Sequence, residues 1–440
     1  MPTRPNVRQN TRAIFALALP VILENILQTL LGSNDTYFAG QLNDFAIAGI
    51  GVTNLVMNLF ISFFTAVSVG ATAVIARNFG KKDYAAVNRC IAHAVMLAMG
   101  LGCVVGVICT IFRTPILRLC GADGSVIQYA MPYYLAVAMP SVVLCLQLTL
   151  SSCLRAIKDT RTPMWVTGAS NLMNILLNYL FIQAGWGVLG LGLATTLSRT
   201  LSASALFMRL QKHDANVQLR PCRPHKQVFV SLLHIGIPAG VEKLIMRVGQ
   251  LVYNGMILAL GVNAYVAHNV AGAIEGYAYI PAMGFGLAIC TLIGVCLGEE
   301  DIPKAKSLTW QTYRLSTICM LAIAAVFYFL APTLAALFTQ TVQVQTLVVQ
   351  VLRIIACFQP FSALVHTMTS ALQGAGDTRF PMITTLVGIW GIRICIGYLL
   401  AVQLRWGLLG FWSAYALDMV IRGLLLLIRF RRGLWQQISI

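Results

Sequence analysis

Twelve long apolar segments constrain the fold of this chain more than any other feature. Each is long enough to cross a bilayer, which takes about 20 mostly apolar residues in a helix. Composition agrees, because 58% of the residues are hydrophobic and only 10% are charged, whereas a soluble domain carries roughly 25% charged residues. The sequence therefore predicts an all-α integral membrane protein with twelve transmembrane helices. The predicted spans are residues 13–39, 45–76, 88–112, 126–154, 163–183, 187–210, 227–260, 264–297, 316–338, 345–373, 381–403 and 407–428.

Positively charged residues are concentrated on one side of the predicted topology. The two termini and alternate loops contain 22 Lys and Arg residues, whereas the other loops contain 3, which are Arg113, Arg118 and Arg405. By the positive-inside rule, this asymmetry predicts a multi-pass protein of the cell (inner) membrane with both termini in the cytoplasm. The net charge of +17 is therefore a property of the topology and does not indicate nucleic-acid binding.

The chain repeats itself at a spacing of 218 residues. Residues of the same type recur in order at this spacing, namely Pro20 and Pro238, Glu24 and Glu242, Gly80 and Gly298, and Asp83 and Asp301. Segment 154–164 corresponds in the same way to segment 372–382. Further on, Trp186 corresponds to Trp406 at a spacing of 220. Chance does not produce such an ordered series, so the two halves of the chain are predicted to be structural repeats.

The repeat predicts two bundles of six helices. We expect an N-terminal lobe over residues 1–212, a basic cytoplasmic linker over 213–226 and a C-terminal lobe over 227–440. Because six is even, both lobes enter the membrane from the same side, which makes the repeat parallel. Such two-lobed proteins transport by alternating access, in which a central cavity opens to one side and then to the other. A channel remains an alternative, because symmetry alone does not exclude one.

Short motifs occur in both lobes. They are Asp35-Thr36-Tyr37-Phe38-Ala39-Gly40, Gly70-Ala71-Thr72, Ala76-Arg77-Asn78-Phe79-Gly80, Gly236-Ile237-Pro238-Ala239-Gly240 and the two Asp-Thr-Arg-x-Pro-Met loops at 159–164 and 377–382. Together they resemble the multidrug and toxic compound extrusion (MATE) family, and are most similar to its DinF-type bacterial branch. The resemblance implies an antiporter that exports amphipathic, often cationic organic compounds or drugs in exchange for protons or sodium, without a cofactor.

Five acidic residues lie inside predicted spans, where an ionisable side chain is costly and by default functional. They are Glu24, Asp35, Glu242, Glu275 and Asp418. The resemblance implies that Asp35 is the coupling-ion carboxylate. Low dielectric disfavours the charged form of a carboxyl group, so either a proton or a bound sodium ion would be needed to neutralise Asp35.

Three asparagines share one face of the fifth predicted helix. Asn171, Asn174 and Asn178 are spaced i, i+3 and i+7, which places them on one side of a helix. The resemblance implies that Asn174 and Thr196 join Asp35 around the coupling ion. Asn178 departs from the family pattern, which has a second aspartate there, and the lost charge favours a proton over sodium. Hydrogen bonding between helices is the alternative role for these amides.

Other charged residues in the spans are expected to form structural pairs with neighbouring side chains. Glu24 and Glu242 are repeat equivalents, which suggests a shared structural role, and Asp418 and Arg422 are spaced i, i+4 and can pair on one helix. Arg353 and Arg393 need partners that the sequence does not identify.

Large flexible or flat apolar side chains are expected around a substrate cavity, because they accept many ligands. Tyr37, Met173 and Met256 are the candidates. The lipid bilayer and small organic cations or drugs are the expected partners, and we expect the protein to function as a monomer.

Other functional classes fit the sequence less well. A flippase for a lipid-linked precursor, from the same superfamily, is the nearest alternative, although such proteins often have additional spans and a strongly cationic cavity. An enzyme is not indicated, because the chain has no H-E-x-x-H, G-x-S-x-G or P-loop pattern and its six histidines form no cluster. The twelve cysteines show no metal-ligand spacing and predict packing residues.

Overall fold

The computed structural model describes residues 7–212, 216–219 and 222–438, so residues 213–215, 220 and 221 of the predicted linker lie outside the described residues. The first half of the chain contains α1 (Val7–Gly40), α2 (Asp44–Gly80), α3 (Tyr84–Ile111), α4 (Arg113–Leu119), α5 (Gly124–Ala138), α6 (Ser141–Ala156), α7 (Arg161–Gln183) and α8 (Gly187–Lys212). The second half contains α9 (Lys226–Leu258), α10 (Val262–Ala278), α11 (Ile280–Gly298), α12 (Ile302–Phe329), α13 (Ala331–Phe338), α14 (Val342–Gly374), α15 (Arg379–Leu386) and α16 (Leu408–Arg432).

These helices form the twelve predicted spans, and the predicted fold class is confirmed. Within the described residues, nine helical segments are long and apolar enough to cross a membrane, and α5 with α6 forms a further span bent by 48°. The remaining two spans are α7 and α8, with 23 and 26 residues, which is enough to cross a bilayer. The span predicted at 264–297 is divided into α10 and α11 at Tyr279.

The span predicted at 316–338 differs in its bounds from the helix in the structure. Its helix, α12, begins at Ile302 and ends at Phe329, and a separate short helix, α13, follows with a proline in its first turn. Lys304, Lys306 and Arg314 lie in the first half of α12, because a charged residue at the membrane surface does not end a helix.

The repeat recurs in the backbone. Asp83 and Asp301 each cap the helix that follows, accepting a hydrogen bond from the amide of Ala86 and of Lys304. The residues before them, Lys82 and Glu300, have φ of 60° and 59°, a left-handed conformation that is uncommon outside glycine. Two ion pairs also match, Asp159 with Arg209 and Asp377 with Arg429. Residues aligned by the sequence repeat therefore adopt the same local structure.

Two π-helical segments, Val387–Ile396 and Leu399–Gln403, follow α15 in the eleventh span. A π-helix bonds residue i to i+5, so each turn contains more residues than an α-helical turn. The segment Arg379–Gln403 contains 25 residues, whereas its counterpart α7 contains 23. The difference of two equals the change in repeat spacing from 218 to 220, so the wider turns accommodate the additional residues within the span.

The chain forms two compact units. The N-terminal unit is Leu23–Gly240, and the C-terminal unit is Met1–Ile22 together with Val241–Ile440. In the N-terminal unit α2 packs against α3, α5 and α6, and α8 packs against α5 and α7. In the C-terminal unit α14 packs against α11, α12 and α16. Each unit has its own apolar core, with Phe64 and Leu191 in the first and Ile355 and Phe411 in the second.

Candidate ion-coupling and substrate site

Asp35 lies in the last turns of α1 and is only 2% exposed. Its carboxylate accepts three hydrogen bonds from neutral side chains. Tyr133 Oη and Thr195 Oγ1 donate to Oδ2 at 2.8 and 2.6 Å, and Asn178 Nδ2 donates to Oδ1 at 3.0 Å. Burying a carboxylate is costly unless hydrogen bonds replace water. These donors, from α5, α8 and α7, replace part of that solvation, and no residue that the structure describes forms a salt bridge with Asp35.

The predicted asparagine stripe on α7 faces this site. Asn178 contacts Asp35 directly, and its Nδ2 also donates to Asn174 Oδ1 at 3.2 Å. Asn174 in turn donates to Thr195 Oγ1 at 3.2 Å, so it orients two residues that contact the carboxylate. Asn171 does not reach Asp35 and donates instead to the carbonyl oxygen of Leu27 at 2.6 Å. The structure thus brings Asn174 and Asn178 to the site and leaves Asn171 in a helix–helix contact.

The threonine at this site is Thr195, whereas the resemblance to the MATE family implied Thr196. Thr196 Oγ1 donates to the carbonyl oxygen of Ala136 at 2.6 Å and packs α8 against α5. Adjacent helical residues point about 100° apart, so only one of the two threonines can face Asp35.

Two residues near Asp35 were missed in the sequence. Tyr133 is 2% exposed and donates to the carboxylate, but it is one of 14 tyrosines and nothing in its local sequence distinguishes it. Arg199 lies on α8 and lines the same cavity as Asp35. Here a signal was present, because an arginine inside an apolar span is costly and by default functional.

A cavity of about 440 Å³ lies beside the site, within the N-terminal unit. Its lining combines amides and hydroxyls with a few apolar side chains and the two charged residues Asp35 and Arg199. The lining residues from α2 are Asn54, Met57, Asn58 and Ile61. Cavities of this volume accept drug-sized ligands.

The three residues predicted to line a substrate cavity do not line this one. Tyr37 is 67% exposed and Met173 is 38% exposed, both outside the cavity lining. Met256 packs against the core of the C-terminal unit. Aromatic and methionine content alone therefore did not locate the lining.

The C-terminal unit contains a buried charge cluster. Asp418 Oδ2 accepts hydrogen bonds from Arg422 Nη2 at 2.6 Å and from Arg393 Nη2 at 2.7 Å. Glu275 on α10 lies near this cluster and accepts a hydrogen bond from Tyr415 Oη at 2.8 Å. The two acids and two arginines balance in formal charge, which reduces the cost of burying them.

The structure identifies contacts for the two in-span arginines that lacked partners in the sequence. Besides its salt bridge to Asp418, the Arg393 guanidinium lies over the ring of Tyr415, 3.9 Å from its centroid. The Arg353 guanidinium lies 5.6 Å from the ring centroid of Tyr328. Both distances are in the range of cation–π interactions.

Glu24 and Glu242, which are repeat equivalents, have partners at equivalent positions but of different residue types. Glu24 accepts two hydrogen bonds from Arg155 Nη1, at 2.9 and 3.0 Å. Glu242 accepts one from Gln373 Nε2 at 2.9 Å and one from Thr385 Oγ1 at 3.4 Å. Gln373 occupies the repeat position of Arg155, so the contact is preserved, while among the described residues Glu24 has a salt bridge and Glu242 has none.

The chemistry around Asp35 suits a proton or a hard cation. Carboxylate, hydroxyl and amide oxygens are the ligands that hard cations prefer, and Asn178 Oδ1 is buried without a hydrogen-bond partner among the described residues. Within the same residues, no group of three or more His, Cys, Asp and Glu side chains is arranged to hold a metal ion.

The MatE family model matches residues 20–180 and 238–399, one segment in each repeat and most of the chain. The chain belongs to the MatE family. The membership confirms the family that the motifs resemble, while the DinF-type branch stays a prediction.

Individual MatE relatives match over nearly their full length. The chain is 30% identical to the probable multidrug resistance protein NorM of Thermotoga maritima, covering 98% of this chain and 94% of that protein. It is 23% identical to the uncharacterized transporter YisQ of Bacillus subtilis, covering 97% and 95%. Its fold matches the crystal structure of MATE in the bent conformation with a TM-score of 0.92 at 22% identity, over 99% of both chains.

Proposed function

We propose that this protein is a multidrug efflux antiporter that exports amphipathic organic compounds in exchange for protons bound at Asp35. The observation that supports it best is a single buried carboxylate, held by neutral donors, at the edge of a drug-sized cavity. Membership of the MatE family and the similarity to a probable multidrug resistance protein support the same conclusion.

The contacts of Asp35 suit reversible proton binding. When the carboxylate is ionised, Asn178 Nδ2 and the hydroxyls of Tyr133 and Thr195 donate to it. When Asp35 carries a proton, its hydroxyl can donate to Asn178 Oδ1 after a rotation of the amide, because an amide presents both donors and an acceptor. Hydroxyl groups likewise rotate between donating and accepting. Neither state leaves the carboxyl group without partners.

Sodium is the second candidate for the coupling ion. The unpartnered Asn178 Oδ1 and the oxygens of Asp35, Asn174 and Thr195 supply ligands for it. The site contributes only one negative charge, however, which attracts a sodium ion less strongly than a pair of carboxylates would. We therefore favour the proton.

Reconstituted vesicles test this function directly. We expect an imposed pH gradient to drive saturable export of amphipathic dyes and a sodium gradient without a pH gradient to drive none. Sodium-driven export would reassign the ion. Single-channel currents without saturable exchange would indicate a channel, and movement of a lipid-linked precursor but no dye would indicate a flippase.

We also propose an inner-membrane location with both termini and the linker 213–226 in the cytoplasm, and function as a monomer. The distribution of basic residues supports the topology, and the presence of both repeats in one chain supports the monomer. Asn216→Cys, in a background lacking the twelve native cysteines, tests the orientation. An impermeant thiol reagent should label it only after cells are opened, and labelling in intact cells would contradict the topology.

A further inference from the structure

The linker between the two repeats is attached to the N-terminal unit by two side chains of α3, and Asn88 is the first of them. Its amide pairs with the linker backbone, because Nδ2 donates to the carbonyl oxygen of Asn216 at 2.9 Å and Oδ1 accepts from the backbone amide of Gln218 at 2.9 Å. Val217, between these two residues, is 1% exposed. This part of the linker is therefore packed against the unit rather than free in solvent.

His93 makes the second attachment, where the linker leads into α9. It is fully buried, and its Nε2 accepts a hydrogen bond from the backbone amide of His225 at 2.8 Å. Its Nδ1 lies 2.7 Å from the carbonyl oxygen of Arg89, one turn earlier on α3, and 3.6 Å from Cys222 Sγ. The ring also packs against the ring of Phe229, with 4.7 Å between the centroids. One imidazole thus holds both the end of the linker and the start of α9.

The two backbone contacts of His93 fix the protonation state of its imidazole. A carbonyl oxygen can only accept, so Nδ1 carries a proton, and a backbone amide can only donate, so Nε2 carries none. His93 is therefore neutral while the linker is attached. A second proton, on Nε2, would point at the amide hydrogen of His225, so protonation of His93 and this attachment exclude each other. Histidine is the side chain that ordinarily changes its charge between about pH 5 and 8.

Other charged and titratable groups lie on the elements around His93, which are the linker, α3 itself, α2 and α6 packed against it, and α9. They are Asp83, Arg89 and Cys90 on α3, Arg77 on α2, Cys153 and Arg155 on α6, Cys222, Arg223 and His225 in the linker, and Lys226 and His234 on α9. Between about pH 5 and 7.5, arginine and lysine stay positive, aspartate stays ionised and cysteine stays largely neutral. Only His225 and His234 share the range of His93, and both of their side chains are exposed.

The repeat indicates that this attachment is specific to the N-terminal half of the chain. At the spacing of 218, Asn88 corresponds to Lys306 and His93 corresponds to Gln311, both on α12. Gln311 Nε2 donates to Ser307 Oγ of its own helix at 3.2 Å. The second copy thus retains the helix but has neither of the two side chains that bind the linker.

We infer that His93 is a pH-dependent latch for the linker: neutral His93 holds the linker on the N-terminal unit, and protonation of His93 releases it. The physiological meaning of the latch rests on the proposed topology and efflux function, in which this end of α3 faces the cytoplasm and the exchange delivers protons there. Protons that accumulate on that side then release the linker. The transporter thereby senses the acidification that its own activity causes.

A spin label on the linker tests the latch in the purified protein. The label is attached at Arg223→Cys, an exposed position, in a background that lacks the twelve native cysteines, and its mobility is followed by electron paramagnetic resonance across the same pH range. Because release accompanies the uptake of one proton, we expect the ratio of mobile to restricted label to rise by up to about tenfold for each pH unit of acidification. Hydrogen exchange of the linker amides in the wild-type protein, corrected for intrinsic exchange rates, gives the same readout without any substitution. A linker equally restricted at every pH would overturn the inference.

Two variants of His93 assign the transition to this side chain. His93→Gln introduces the residue type of the repeat position, which can accept a hydrogen bond through Oε1 but does not titrate, so the linker should stay restricted at every pH. His93→Ala removes the acceptor, so the linker should be mobile at every pH. A transition that persists in His93→Gln would belong to another group, such as His225 or His234, and a restricted linker in His93→Ala would show that His93 does not hold it; either result would overturn the inference. These measurements use neither a gradient nor a substrate, so absence of dye export from vesicles would reject the efflux function and leave the latch intact.

Discussion

Asp35 and Asp418, one buried carboxylate in each unit, have partners of opposite kinds. In the N-terminal unit, Asp35 accepts hydrogen bonds only from neutral side chains of the described chain. In the C-terminal unit, Asp418 is held between Arg393 and Arg422 and is fully buried. Two neighbouring arginines favour the charged form of a carboxylate, whereas neutral hydrogen-bond donors add no positive charge beside it.

The repeat shows where this difference arose. At the spacing of 220, Thr195 corresponds to Tyr415, and each hydroxyl donates to a carboxylate, Asp35 in one unit and Glu275 in the other. At the same spacing, Ser198 and Ser202 correspond to Asp418 and Arg422. Two uncharged residues of the N-terminal unit thus correspond to two charged residues of the C-terminal unit. Thr195 and Tyr415 each bond a carboxylate, although Asp35 and Glu275 do not stand at repeat-equivalent positions.

The largest expected effect is on the stability of the C-terminal unit. Asp418→Asn leaves two arginines without their shared counter-charge, and removing one partner of a buried ion pair costs about 3–5 kcal/mol. We expect a large fall in folded protein and in melting temperature, measured by size-exclusion chromatography in detergent after heating. The control is Ser198→Ala at the equivalent position of the N-terminal unit, which should melt like the wild type. A similar melting temperature for Asp418→Asn would show that the network does not stabilise the unit.

Asp35→Asn should abolish transport and leave the stability of the protein unchanged, the reverse of the emphasis expected for Asp418→Asn. The substitution preserves the shape of the side chain but removes the group that binds the proton, and the neighbouring donors include hydroxyls that can rotate. We expect gradient-driven dye export to be lost while the melting temperature stays near that of the wild type. Export at the wild-type rate, at equal membrane abundance, would remove Asp35 from the coupling mechanism.

Asn178→Asp should alter ion dependence without abolishing transport. It places a second carboxylate beside Asp35, and two close carboxylates cannot both ionise cheaply unless a cation lies between them. We expect either stimulation by sodium or a displaced pH optimum, measured as export rate against pH with and without sodium. Profiles that superimpose on those of the wild type would mean that Asn178 does not belong to the coupling site.

The smallest expected effect is at the repeat-equivalent glutamates. Arg155→Gln gives the N-terminal unit the partner that Glu242 already has in Gln373. Because Glu24 keeps a hydrogen-bond donor, we expect a loss of only about 1–2 kcal/mol, typical of a weakened charged hydrogen bond. Thermal unfolding measures it, with Arg155→Ala as the more damaging control. A loss as large as that of Asp418→Asn would show that Glu24 depends on its salt bridge as strongly as the C-terminal cluster does.

Features that depend on local sequence were predictable. Apolar runs located the helices, and the rarity of acids in spans gave five candidates that include Asp35, which the resemblance to the MATE family then selected. The spacing of Asn174 and Asn178 placed both on the correct face of α7. These predictions succeed because hydropathy and helical periodicity act within one segment.

Features that depend on non-local geometry were not predictable. Choosing Thr195 over Thr196 requires the rotation of α8 about its axis, and finding Tyr133 requires the packing of α5 against α8. The pairing of Arg393 with Asp418 joins residues 25 apart in sequence, on different helices. The π-helical turns change hydrogen bonding without changing hydropathy, so composition carries no signal for them.

Those π-helical turns also record the order of events in the history of this gene. Up to residue 382 the two halves align at one constant spacing, and after Trp406 they align at a spacing two residues longer. A difference present in only one copy must be younger than the duplication that created both. One half therefore gained, or the other lost, two codons in its fifth helix after the halves had separated. The π-helical turns accommodate the two additional residues within the membrane span. In both halves the helix that follows therefore begins at a glycine with positive φ, Gly187 in one and Gly407 in the other.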